Sequence, residues 1–120
     1  MKIMSDLERN CYNFILKLTQ ELALDFDAQY QHMEDFARWN LPEEIALEWI
    51  DAEGMIEILH KSQCITKDTF NILKTIVNRF VLEFEHPNNP IWTCESMKKS
   101  DFWNIQRSSA KEAYERLKAM

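Results

Sequence analysis

The sequence predicts an all-α fold, a single-domain bundle of about five helices spanning residues 1–120, and three observations carry that expectation. Apolar residues recur at steps of three and four along most of the chain, the period of a helix with one buried face. One glycine and three prolines among 120 residues leave little with which to build hairpins and β-turns. A hydrophobic content of 46% with 12% aromatics excludes a disordered chain and suffices for a core without staples.

The elements follow in order. Ser5-Asp6-Leu7-Glu8 is a capping box, in which Ser5 accepts from a backbone N–H and Glu8 reaches back to the cap. The helix after it sets Leu7, Cys11, Phe14, Ile15, Leu18 and Leu22 on one stripe. Around Asp25-Phe26-Asp27 the spacing predicts a kink or a second helix, ending near Trp39-Asn40. Asn40-Leu41-Pro42-Glu43-Glu44 starts the next helix, with proline in the first turn and carboxylates at the positive end of the dipole. Its stripe is Ile45, Trp49, Ala52, Ile56 and Leu59, and Gly54 marks either a bend or a close neighbour. Thr66 caps the most apolar segment, through Phe70, Leu73, Val77, Phe80, Val81 and Phe84, which is expected to be the central helix. His86-Pro87-Asn88-Asn89-Pro90 is a loop, since two prolines and two asparagines stop a helix. A short helical turn follows Thr93. Ser100 or Asp101 then caps a final helix carrying Trp103, Ala110, Ala113, Tyr114 and Leu117.

Cys11, Cys64 and Cys94 are odd in number and lack a CxxC spacing, so free thiols are expected and neither a disulfide framework nor a zinc site is signalled. Met1 to Asp6 lacks the apolar core of a signal peptide, and no run approaches a membrane span. The expectation is a cytoplasmic protein.

Catalytic and cofactor signatures are missing. There is no P-loop, GxGxxG or HExxH, and a single glycine cannot build the usual phosphate-cradling loop. Glu57-Ile58-Leu59-His60 has the Glu-x-x-His spacing of di-iron bundles, but those sites need a second copy and two further glutamates. Asp25 and Asp27 do not converge on a helix as an acid/base pair, and no signature supports a Cys–His nucleophile. No enzyme, metal or cofactor is expected, with a helical metalloprotein built on Glu57 and His60 as a minor reading.

Charge is the chain's most informative feature. Residues 21–57 hold eleven acidic residues and one basic residue, Arg38, so this segment carries −10 against −6 for the whole chain. The rest is therefore about +4, and part of it, Lys98, Lys99, Arg107, Lys111, Arg116 and Lys118, clusters near the C-terminus. Such an acidic zone repels nucleic acid and anionic lipid and attracts a basic protein, especially one that holds phosphates. Solvated helix faces usually mix both signs, whereas this zone combines unpaired acids with Trp39 and Trp49, the composition of an interface anchor with a charged surround. Asp25, Asp27, Glu48, Asp51 and Glu53 are the expected charged contacts, with Trp39 the anchor and Trp49 assigned to the core.

Leu41-Pro42-Glu43-Glu44-Ile45-Ala46-Leu47-Glu48-Trp49-Ile50-Asp51-Ala52, then Ile65-Thr66-Lys67-Asp68-Thr69, then Trp92 and the run from Asp101 to Ala110 together resemble small acidic helical immunity proteins of contact-dependent growth inhibition and related polymorphic toxin systems. The resemblance spans roughly residues 40 to 115; the long Phe84 to Thr93 connection departs from it. It implies a non-enzymatic inhibitor that binds a cognate toxin domain, often a nuclease, and occludes its active site with an acidic surface. The competing expectation is a cytosolic adaptor or regulatory protein that binds a basic endogenous partner.

Overall fold

In a computed structural model of the chain, residues 3–32 and 40–119 are described, and all regular structure among them is helical. The helices are α1 (Asp6–Ala23), α2 (Phe26–His32), α3 (Leu41–Asp51), α4 (Glu53–Lys61), α5 (Lys67–Phe84), a 3-10 turn (Pro90–Trp92), α6 (Cys94–Lys99) and α7 (Asp101–Lys118). The all-α expectation holds. The five anticipated segments become seven α-helices among the described residues because α3 and α4 separate at Ala52 and the turn after Thr93 forms α6.

Local chemistry sets the boundaries. The capping box at Ser5 forms with both of its reciprocal hydrogen bonds, at 3.1 and 2.8 Å. Thr66, Thr93 and Ser100 each accept from a backbone N–H three residues on, which satisfies one donor that a helix start leaves open. α1 stops at Leu24 because Asp25 begins a new helix: its Oδ1 accepts from Ala28 N–H at 2.9 Å. α4 closes in a Schellman arrangement, with Gln63 N–H donating to His60 O and Cys64 N–H to Leu59 O, and Gln63 takes the left-handed φ of 58° that this cap requires. Gly54 is exposed and a Cβ there would meet nothing within 4 Å, so the bend, not a close neighbour, explains the interruption.

The core lies between α1, α5 and α7, with α3 and α4 packed across α5 and α4 also against α1. α7 lies against both α1 and α5, so it shares the central place that the sequence assigns to α5 alone. Its buried positions explain this. Ala110 and Ala113 are small enough for close approach, and Trp103, Gln106 and Leu117 complete the inner stripe. Buried Gln106 is satisfied, donating to Ile76 O at 3.0 Å and accepting from Arg79 Nη1 at 3.2 Å. Trp103 donates from Nε1 to Ile91 O at 2.9 Å, which ties the 3-10 turn to α7.

Three stripe assignments are corrected. Leu7 and Phe14, expected in the core, are 60% and 41% exposed. The face α1 buries is centred on Cys11, Ile15, Leu18 and Leu22, and at 100° per residue the two lie roughly 50–70° to one side. Val81 of α5 is likewise exposed. The three cysteines are free thiols, with Cys11 and Cys64 buried.

Candidate functional site

The expected contact residues fall into three places. Glu48 and Asp51 lie on α3. At 100° per residue they share one outer face with Glu44 and Leu47, and Leu47 is a large apolar side chain left 42% exposed among these acids. Among the described residues, none of Glu44, Glu48 and Asp51 makes an ion pair.

Glu53 points elsewhere. Past the break at Ala52, its carboxylate meets Lys74 of α5 at 2.5 Å, and Lys74 also reaches Glu57 at 3.1 Å. The hydrogen bond that Lys74 donates to Glu53 is the main reason its ammonium holds its proton more tightly than usual. Glu57 is thus occupied by a lysine, and His60 stacks on Phe70 with ring centroids 3.8 Å apart. Among the described residues no group of three His, Cys, Asp or Glu side chains is arranged to hold a metal ion.

Asp25 and Asp27 open α2 and are exposed. Asp25 serves as the cap of that helix, and its charge acts on Arg107 of α7. Burial works against the charged form of Arg107 and Asp25 offsets part of that cost. The Arg107 guanidinium donates to Met97 O at 2.6 Å and to Gln29 Oε1 at 3.2 Å. Lys98 lies 4.9 Å from the Phe26 ring centroid. Arg107 therefore answers Asp25 at the start of α2 within the molecule, while Glu44, Glu48 and Asp51 on α3 have no ion pair among the described residues. Trp39, the expected anchor, lies outside the described residues. Trp49 is 1% exposed and belongs to the core.

Between α1, α2 and α3 lies a pocket of ≈ 30 Å³. Its walls are Leu18, Leu22 and Leu24 on one side and Ile45 and Trp49 on the other. Gln29 forms part of it and is held in place, donating from Nε2 to Leu22 O at 3.0 Å while accepting from Arg107. Glu21 and Glu48 also line it, and their carboxylates lie close enough for one to act on the other. Burial, then the neighbouring carboxylates of Glu21 and Glu44, push the Glu48 carboxyl above the usual range, with Lys17 opposing them. Lys17 is itself an exposed partner of Glu21 at 3.9 Å.

Glu21, Glu44 and Leu47 are the members of this face that reasoning from the sequence missed. Glu44 and Leu47 were within reach, since the 44, 47, 48, 51 spacing is one helix face. Glu21 carries no such signal, because only the packing of α1 beside α3 brings it to Glu48.

What the fold and site define is an all-α protein with an acidic, partly apolar face on α3 beside a small pocket. Comparison of the chain with family models, with curated proteins and with solved structures gives no match. Among the described residues no helix is long and apolar enough to cross a membrane.

Proposed function

We propose that this chain is an immunity protein that binds a cognate toxin domain, with a nuclease as the favoured class, and covers its active site with the acidic face of α3. The observation that carries the reading is the row Glu44, Leu47, Glu48 and Asp51: acids with no ion pair among the described residues, around an exposed leucine. A nuclease holds phosphate with Lys, Arg or protonated His, and a carboxylate row offers those cations a match without a cleavable bond. The leucine adds an exposed apolar contact beside the acids, and apolar anchors contribute much of an interface's energy. The resemblance over residues 40 to 115 points the same way.

Growth rescue tests it. The C-terminal domain encoded directly upstream is induced in a host cell with and without this chain. The expected outcome is growth arrest, relieved by the wild-type chain and not by the Glu44→Lys/Asp51→Lys double variant, whose binding weakens by more than about 2 kcal/mol. Arrest that the wild-type chain does not relieve overturns the reading and leaves the adaptor ahead.

A further inference from the structure

We infer that the pocket between α1, α2 and α3 is an anchor site for one lysine side chain of the partner protein, its ammonium seated between Glu48 and Glu21. The inference rests on the toxin-binding reading for the partner's identity, while the pocket's chemistry stands on its own residues.

Size, polarity and field select the occupant together. A volume of ≈ 30 Å³ has room for about two water-sized groups, which an ammonium and the methylene beneath it fill. A guanidinium is a planar fork of four heavy atoms, too broad for the same space. The aliphatic walls from Leu18 and Ile45 suit the remaining stem, since lysine lays its methylenes along apolar surface while its head seeks charge. Entry strips water from the ammonium, a cost that opposite charge must offset. Two carboxylates meet it, and a third, Glu44, lies close enough to act on Glu48.

The end of α1 adds to the field. Glu21 sits in the last turn of that helix, which contains no basic residue, and a helix C-terminus carries roughly half a negative charge on its open carbonyls. Gln29 keeps the mouth in shape through its bonds to Leu22 O and Arg107. Of the cations nearby, Lys17 pairs with Glu21 and Arg107 bonds Gln29, and neither lines the pocket. Apolar walls beside two carboxylates, of which Glu48 has no ion pair among the described residues and Glu21 has only a long, exposed one, are a poor site for a neutral or anionic group.

The test uses the whole chain and N-acetyl-lysine N-methylamide as the probe, with the norleucine analogue as its uncharged counterpart. Titration is followed by the Trp49 indole N–H and Ile45 methyl resonances. The lysine probe should shift both saturably, with the norleucine probe weaker by about tenfold, as expected for loss of one charge-assisted contact. Glu48→Gln should weaken the lysine probe by a similar factor, whereas Glu112→Gln, an equal change of charge on α7, should not. Lysine and norleucine probes of equal affinity, equal losses in the two variants, or shifts centred outside the pocket would each overturn the inference. Growth rescue that succeeds beside a failed titration would leave the immunity reading intact and remove only the lysine anchor.

Discussion

At the scale of single residues, Glu48 is where folding and binding pull in opposite directions. Its carboxyl is half-buried and faces Glu21 and Lys17 from α1 and Glu44 from its own helix, while α2 contributes the neutral Gln29, among the described residues, to the same pocket. The folded state raises its pKa, so the native protein binds this proton more tightly than the unfolded chain does. Ionisation of Glu48 therefore costs stability. The cost is complete above the folded pKa, shrinks as pH falls through it, and is gone below the unfolded value of about 4.3. Glu48→Gln removes the charge and keeps the shape. It should stabilise the free protein at pH 7 by ~0.5 kcal/mol, a small figure because water still screens half of the group. Thermal melts of the two proteins at pH 7 and pH 4 measure it: the gap should be present at the first and close at the second. A variant less stable than wild type at pH 7 would mean that Glu48 holds a favourable contact. A partner lysine would reverse the balance, since the same carboxylate that burdens the free fold attracts a cation.

At the scale of elements, the cap that ends α4 offers the cleanest trial of local backbone reasoning. Gln63 is the one non-glycine residue with positive φ among those described, in a position that glycine usually fills because it lacks a Cβ. Gln63→Gly should stabilise the protein by about 1 kcal/mol, the approximate cost of a left-handed L-residue, read from the urea midpoint at unchanged slope. A loss instead would show that the added freedom of glycine in the unfolded chain outweighs the strain relieved. That same site marks a limit of sequence reasoning. Ser5, Thr66, Thr93 and Ser100 were legible as helix starts because their side chains carry the capping chemistry. Gln63 has no such signature, and its Schellman bonds are visible only in three dimensions. The helical period likewise revealed the buried stripes of α3 and α4 and most of that of α5, but not how wide the core-facing stripes of α1 and α5 are, which left Leu7, Phe14 and Val81 on the wrong side. For the site, the acidic zone and the α3 acids were legible. The diversion of Glu53 to Lys74 and the arrival of Glu21 beside Glu48 depend on packing between helices distant in sequence.

At the scale of the whole molecule, the imbalance between −10 in residues 21–57 and about +4 elsewhere is only partly resolved by folding. Lys74 takes up Glu53 and Glu57, and Arg107 answers Asp25, which among the described residues leaves Asp27, Glu43 and the outer face of α3 as negative surface without an ion pair. Like charges three and four residues apart on a helix repel, so Glu44, Glu48 and Asp51 weaken the fold that displays them. A surface that costs stability without a structural return is the pattern of a site held for binding. Asp51→Lys tests this with two readouts of opposite sign. The new lysine follows Glu48 by three residues, the favourable orientation for a helical ion pair, and should raise stability by about 0.5 kcal/mol, or roughly 2 °C in melting temperature, at low salt. The gain should fade in 1 M salt, where the Debye length falls to about 3 Å. In the growth assay the same variant should protect less well than wild type, and the deficit should deepen when Glu44→Lys is added. A variant both more stable and fully protective would place the partner's contacts on another face; one more stable and less protective ties the charge that burdens the fold to the partner it binds.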